Sequence, residues 1–327
     1  MKKVSLKDIA EVLGVSKALV SLVLNDKGNE RGINAQTQER VRKKAKELNY
    51  IPNQYARGLR VGRTNTIGVI VPDISNVFYG TLCKAIEKDA YAKGYNLIIS
   101  NSYEDIQKEK KLITELINRN IDGLILASSF EHKNDIIGLN FKQFPVVLVD
   151  RTFDDLPIDS VSVSNYEGAF KATKYLVDKE VNMPVCFAIS PSHISSIAKR
   201  VEGFKAALKD ENAKIFQIPH DNIEIAVSNA LEEVKKIGAT GIFCSNNSIA
   251  KALLKKSIQE KDIFNALTIV SFDDVELFDL VSMKISAIAQ PIDDLGVTAL
   301  RLLLKRIESK EENPVENVVL DTTLIER

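Results

Sequence analysis

The 327-residue chain has no tryptophan and only three cysteines, three histidines and three methionines. Cys83, Cys186 and Cys244 are odd in number, far apart and never in a CxxC pair. That excludes a disulfide framework and suits a reducing compartment, with each thiol buried as a small hydrophobe. His132, His193 and His220 are too scattered to build a metal-ligand set. No run of 18 apolar residues occurs, and the opening MKKVSLKDIAEVLG breaks its apolar positions with charges. Neither a membrane span nor an export signal is expected, so the chain is assigned to the cytoplasm. GxSxG, GxxxxGKS/T, GxGxxG and HExxH are all missing. Asp273-Asp274, adjacent on a strand end, send their side chains to different sides and make no preformed carboxylate pair. Catalysis is therefore not expected, and no cofactor or metal is implied.

What is present is unevenly charged. Lys plus Arg equals Asp plus Glu, 44 against 44, but residues 1–64 hold 14 basic against 6 acidic side chains, a net of +8. The other 263 residues carry 30 against 38, a net of −8. A basic head on an acidic body points to a polyanionic partner for the head alone.

Within the head, Ser5-Leu6-Lys7-Asp8 has capping-box form. Leu6, Ile9, Ala10 and Leu13 follow at i, i+3, i+4 and i+7, one face of a helix that Gly14 ends. Ser16 caps a second helix through about Leu24, which completes the spacing of a helix-turn-helix. A third helix begins near Asn34 or Ala35, with Val41, Ala45 and Leu48 on its apolar side. At about 100° per residue, Val20, Val23 and Leu24 of the second helix turn inward. Ala18 and Leu22 then point nearly opposite, Leu19 and Ser21 lie on the flanks and Lys17 sits in the first turn. Such a motif inserts this helix into the major groove of DNA, so Leu22 is expected to be exposed in the free protein.

From Thr66 the pattern becomes alternating strands and helices: TIGVIV, a helix over Tyr79–Lys93, YNLIIS, a helix over Ile106–Asn118, then DGLILAS, VVLVD, PVCFAIS, TGIFCS and LTIVSFD. This is the pattern of parallel sheets with crossover helices. Ligands of such sheets sit beyond the carboxyl ends of the strands. Asp73, Ser75, Asn76, Phe78 and Tyr79 stand there after the first strand, with Asp150, Arg151, Asn246, Asn247 and Asp273 after later ones, and Arg200 precedes Gly203-Phe204. Carboxylates and amides share hydroxyl hydrogen bonds, arginine donates in a fork and aromatic faces stack on rings, which is chemistry for a small sugar or polyol.

KDIAEVLGVS, LNYIPNQYARGLRVGRTNTIGVIVPD, SNNSIA and VSFDD occur in this order, and over essentially its full length the chain resembles the LacI/GalR family of bacterial transcription repressors. The resemblance implies a helix-turn-helix head at 1–50, whose Ser5, Ser16, Lys17, Ala18, Leu19, Ser21, Leu22 and Asn25 meet the major groove and phosphates. It implies a hinge segment at 51–64, with a helix over about Asn53–Arg60 in which Asn53, Tyr55, Ala56 and Arg57 lie beside the minor groove and Leu59 wedges a base step. The body, 65–327, is implied to be a periplasmic-binding-protein-like (type I) pair of α/β lobes crossed near residues 162, 291 and 320. The N-lobe would be 65–162 plus 292–319, and the C-lobe 163–291 plus 320–327. Positions matching Arg200, Asn246 and Asp273 contact the effector in the family.

Several positions depart from the family pattern. Leu19-Val20-Ser21-Leu22 stands where TVSR is frequent, which exchanges an arginine for a side chain able to pack on a thymine methyl, with Lys17 and Ser21 left as polar contacts. The loop DKGNERGI is long, Asn247 replaces a usual aspartate, and Ser164-Asn165 stands where Asp-Asn is common. The implied function is allosteric repression of carbohydrate-utilisation genes by a homodimer on a near-palindromic operator, with a sugar-like effector that either releases the DNA or promotes its binding, according to which lobe arrangement it favours. No heptad tail follows the last strand, so a dimer without a tail-mediated tetramer is expected. A periplasmic sugar-binding protein would share the body, but it would need an export signal and would lack the basic head.

Overall fold

A computed structural model describes residues 4–50, 63–139, 141, 144–260, 264–309 and 314–327. The chain divides into two units, Met1–Thr64 and Asn65–Arg327.

The first unit contains α1 (Leu6–Leu13), α2 (Lys17–Leu24) and α3 (Ala35–Glu47). The capping box is formed in full: Ser5 Oγ accepts from the Asp8 amide, and Asp8 Oδ2 accepts from the Ser5 amide at 2.7 Å. Gly14 closes α1 at φ +65°, a conformation that a side chain would strain. Ser16 and Asn34 cap the other two helices through their side chains. Ile9, Ala10, Val20, Val23, Val41 and Ala45 form the core of this unit, with Leu24 and Leu48 packed at its margin.

Three positions on α2 differ from expectation. Leu19 packs against the core instead of standing free. Ser21 is buried, and the Asn25 side-chain amide donates to its carbonyl at 2.6 Å and lies 3.4 Å from its hydroxyl. Leu22 is half-buried rather than exposed; just after it the chain turns, and the Lys27 amide donates to the Leu22 carbonyl at 2.9 Å. The long loop is stapled down from α3: Gln38 is buried and its Nε2 donates to Asn29 Oδ1 and the Ile33 carbonyl, each at 2.8 Å.

The second unit runs β1 (Thr66–Val71), α4 (Val77–Ala92), β2 (Asn96–Asn101), α5 (Ile106–Asn118), β3 (Gly123–Leu126), α6 (Lys133–Ile137), β4 (Val146–Val149) and β5 (Asp159–Val163). It continues α7 (Asn165–Asp178), β6 (Val185–Ser190), α8 (Ser195–Leu208), β7 (Ile215–Pro219), α9 (Ile223–Ile237), β8 (Gly241–Cys244), α10 (Asn247–Gln259), β9 (Thr268–Phe272) and β10 (Ile285–Ala289). The long α11 (Ile292–Glu308) precedes β11 (Asn317–Leu320) and β12 (Thr323–Ile325). Among the described residues the strands form two six-stranded sheets, in the orders β11-β5-β4-β3-β1-β2 and β12-β10-β9-β8-β6-β7. All pairs are parallel except β10 with β12.

Apolar runs such as TIGVIV are buried on both faces, as parallel strands covered by helices must be. β5 was not expected from its sequence, DSVSV, yet every residue of it is buried. Its polar atoms are satisfied: Arg306 donates to both Asp159 oxygens at 2.6 Å, and Ser160 donates to Asn317 at 2.8 Å. α4 starts two residues before the expected Tyr79, because Asn76 caps it by accepting from the Phe78 amide. All three cysteines are buried and free, and burial pushes the Cys83 thiol up to about 11.

In each sheet the strand order reverses once, between β1 and β3 and between β6 and β8, the place where a crevice opens at the strands' carboxyl ends. The chain passes from the first sheet to the second after Val163, returns after Ala289 and passes again between Leu320 and Thr323. These passages lie side by side: Ala289 pairs with Thr323, and the Ser164 hydroxyl accepts from the Thr322 amide at 3.1 Å. No described helix is long and apolar enough to cross a membrane.

Candidate functional site

A cavity of about 240 Å³ lies between the two lobes and draws its walls from both. Asp73, Asn76, Phe78 and Tyr79 enter it after β1, Asp150 and Arg151 after β4, and Arg200, Asn246 and Asp273 from the opposite lobe. The lobes repeat a local device. Asp150 and Asp273 each directly follow an equivalent strand, each has positive φ (+66° and +73°), and each amide donates to the neighbouring strand, to Val161 and Ile288. A non-glycine residue at such a φ is uncommon and points to a functional constraint.

On the first wall Tyr79 donates its hydroxyl to Asp150 Oδ2 at 2.9 Å. Burial pushes the Asp150 carboxyl above its ordinary value, against the pull of Arg151, Arg200 and the Tyr79 hydroxyl. Arg151 is held bidentately by Glu104, at 2.7 and 2.6 Å, and also donates to the Ser128 carbonyl. Burial works against the Glu104 charge, yet Arg151 and the Ser129 hydroxyl hold this carboxyl below its ordinary value. Beneath them Glu109 is fully buried and accepts from Ser128 Oγ and the Ser129 amide, both at 2.7 Å, and burial raises its pKa.

On the second wall Arg200 donates Nε to Asn165 Oδ1 at 2.8 Å and Nη1 to the Ser245 carbonyl at 2.7 Å. Its guanidinium lies 3.7 Å from the centre of the Phe272 ring, a cation–π contact. Burial draws the Arg200 pKa below its ordinary value even with Asp273 and Asp150 nearby. Asp273 accepts from the Asn247 amide and from Gln290 Nε2. Asn246 caps α10 through its side chain.

Two expected cavity residues lie elsewhere. Ser75 is exposed and closes a local turn on Asp73. Asn247 does not line the cavity; it ties the lobes together, donating Nδ2 to Asn76 Oδ1 at 3.1 Å while Asn76 donates to Ser248 at 3.3 Å. A second tie runs from the Thr152 amide to Ser195 Oγ at 2.9 Å. Sequence reasoning missed Glu104, Ser190, Ser196, His220 and Gln290 among the lining residues. Glu104 lies just beyond one recognised strand and Ser190 ends another, so the rule that found Asp73 could have found them. Gln290 follows a strand, ISAIA, that the sequence pattern did not reveal.

In the first unit Ser5, Ser16, Lys17 and Ala18 are exposed, Leu22 and Asn25 are half-buried, and the Asn25 side chain is engaged with Ser21. Arg42, Lys43 and Lys46 line a shallow groove along α3 with Asn29 and Glu39. Asn53, Tyr55, Ala56, Arg57 and Leu59 lie outside the described residues.

Comparison with known proteins agrees with both units. The family described as "Bacterial regulatory proteins, lacI family" matches residues 5–53, and "Periplasmic binding proteins and sugar binding domain of LacI family" matches 64–325. The ribose operon repressor of Halalkalibacterium halodurans is 32% identical over 335 residues, 98% of this chain and 97% of that protein. A solved LacI family transcriptional regulator from Enterococcus faecalis V583, with bound ribose, is 32% identical, covers 80% of this chain and 97% of its own, and has a TM-score of 0.70. The Lac repressor dimer bound to operator and the anti-inducer ONPF shares the fold over 100% of this chain and 98% of its own, with a TM-score of 0.84 at 23% identity. By these matches and by its architecture, the chain belongs to the LacI family of bacterial DNA-binding transcription repressors.

Proposed function

We propose that this repressor controls carbohydrate-utilisation genes as a homodimer on a near-palindromic operator, and that a small sugar held between the two lobes sets its DNA affinity. The observation that carries the effector reading is the inter-lobe cavity, where Tyr79, Asp150 and Arg151 face Arg200, Asn246 and Asp273. Its volume, about 240 Å³, lies below the range typical of drug-sized ligands, roughly 300–1,000 Å³, and suits a single sugar ring. The ribose bound to the Enterococcus faecalis regulator and the ribose operon for which the Halalkalibacterium halodurans repressor is named support a pentose.

Residues 1–50 bind DNA, 51–64 form the hinge, and 65–327 bind effector and dimerise through the first lobe. Ser5, Ser16, Lys17, Ala18 and Leu22 meet the operator. Asn53, Tyr55, Ala56 and Arg57 line the minor groove, and Leu59 opens a base step there. The ligand acts by binding the two lobe arrangements with different affinity, which is the thermodynamic condition for allostery. Asn76, Asn247, Thr152 and Ser195, which tie the lobes in the present arrangement, are among the contacts whose making and breaking distinguishes the two.

The test starts from selection of bound sequences out of random DNA by the full chain, followed by retention assays of the selected operator with and without sugars. Operator binding should weaken steeply with salt, because phosphate contacts release counterions. Removing residues 1–64 should abolish retention and leave sugar binding intact. A truncated chain that still shifted the operator at physiological salt would overturn the domain assignment.

A further inference from the structure

We infer that the cavity selects uncharged polyhydroxyl ligands and rejects sugar phosphates and sugar acids. This inference rests on the effector reading above and specifies its chemistry.

The first reason is charge. Four carboxylates line the cavity, those of Asp73, Glu104, Asp150 and Asp273, against the two guanidinium groups of Arg151 and Arg200 and the imidazole of His220. Most of each guanidinium is already committed within the protein. Both terminal nitrogens of Arg151 are spent on Glu104, which consumes the planar fork that would otherwise grip a phosphate or carboxylate. Arg200 has committed Nε and Nη1 to Asn165 and Ser245, and Phe272 covers a face of it.

The second reason concerns the helix N-termini at the cavity, the usual seats for anions. Two of them are occupied: the first amide of α10 already donates to Asp273 Oδ2 and Asn246 caps that helix with its own side chain, while α4 is capped by Asn76. The N-termini of α8 and α9 have no side-chain cap, but isoleucine stands at each, and Ile189, Ile194, Ile197 and Ile223 line the cavity. That apolar surface fits the C–H groups of a sugar ring better than an anion.

The third reason is the balance of donors and acceptors. Arg151 Nε, a donor, and Gln290 Oε1, an acceptor, are buried without a hydrogen-bond partner, and both residues line the cavity. A hydroxyl group donates and accepts at once and can answer both kinds of need. A phosphate dianion only accepts, so it would leave the acceptors unanswered while adding negative charge to a net-negative wall. Like-charge juxtaposition of this kind corresponds to a loss of roughly a hundredfold in affinity.

The experiment is titration calorimetry on the full-length chain with matched probes: D-ribose, D-ribose 5-phosphate and D-ribonate, D-fructose and D-fructose 6-phosphate, D-glucose and D-glucose 6-phosphate. At least one free sugar should bind, with its anionic counterpart weaker by about a hundredfold. A phosphate or acid that binds as tightly as its parent sugar would overturn the inference and leave the sugar-effector reading standing. Silence from every probe, neutral and anionic, would overturn the effector reading and the inference with it. Asp73→Asn removes one negative charge while an amide oxygen can still cap the local turn. Its ratio of neutral to anionic affinity should shrink about fivefold, the change expected from one screened charge contact. An unchanged ratio would show that wall charge does not set the selectivity.

Discussion

Replacing Gly203 with alanine tests whether the closest helix contact in the second lobe is also what places Arg200. Gly203 lies in α8, and a Cβ there would stand 2.3 Å from the Tyr166 carbonyl oxygen, 3.0 Å from Ala169 Cβ and 3.1 Å from the Phe170 nitrogen, all on α7. The first of these is more than an ångström inside the ~3.5 Å of ordinary non-bonded contact, and backbone cannot rotate away as a side chain can. Overpacking of this kind costs about 1–3 kcal/mol. Alanine returns about 0.8–1 kcal/mol through its better helix propensity. The net is a destabilisation of up to about 2 kcal/mol, or a fall in melting temperature of up to about 8 °C for a unit of this size. Arg200 sits three residues earlier on α8 and reaches Asn165 at the start of α7, at 2.8 Å. Helices pushed apart stretch that bond and turn the guanidinium, so sugar affinity should fall by about tenfold as well. The assay is thermal unfolding monitored by circular dichroism, paired with calorimetric sugar binding. A melting temperature at or above that of the wild type would refute the reasoning, because the helices would then yield without cost.

Glu104→Gln leaves the Arg151 guanidinium buried without its carboxylate, which should cost about 3 kcal/mol. The same variant has a pH signature. Despite burial, the Glu104 carboxyl is held below its ordinary value of 4.5, so its contribution to stability is complete above about pH 4.5 and is lost as pH falls through the lowered folded value. Urea midpoints measured across acid pH should therefore fall less steeply in the variant, and an identical acid limb would dismiss the pair as a stabilising element. Leu22→Arg should fold normally, since Leu22 is only half-buried and lies outside the core of its unit, and should alter the base preference at one position of each half-site. Recovery of the same selected sequence would remove Leu22 from operator readout.

How much of this was legible in the sequence depended on whether the signal was local. The capping box at Ser5 and Asp8, the caps Ser16 and Asn34 and the glycine stop at Gly14 are local devices, and the three helices of the first unit followed from them. Strands buried on both faces, such as TIGVIV, carry their own apolar signature. DSVSV does not, because its serines and Asp159 are made tolerable by Arg306 and Asn317, far away in the chain. IFQIP and ISAIA went unread because a glutamine interrupts the first and a serine and two alanines thin the second, so neither shows a continuous run of large apolar residues. Helix-wheel reasoning placed Val20 and Val23 correctly but could not foresee the half-burial of Leu22 or the burial of Ser21. In the cavity, most residues at the ends of recognised strands were found, and the same rule reaches Glu104 and Ser190, which were passed over. Gln290, beyond an unrecognised strand, depended on tertiary structure. Asn247 was assigned to the cavity by its place after a strand, whereas one step along a helix start turns its side chain from the cavity to Asn76 of the opposite lobe.

The three side-by-side passages between the lobes have a mechanical consequence. Ser164 and Thr322 are bonded to each other, Ala289 and Thr323 are paired, and Gln290 in the same strap is bonded to Asp273 in the cavity wall. A strap of adjacent backbones resists stretching and shear but bends about one line, as a spine does between two covers. Relative motion of the two lobes is thereby reduced to a single variable, the angle at which the covers stand. Because Gln290 joins the strap to Asp273, a displacement of the cavity wall reaches that spine through one hydrogen bond.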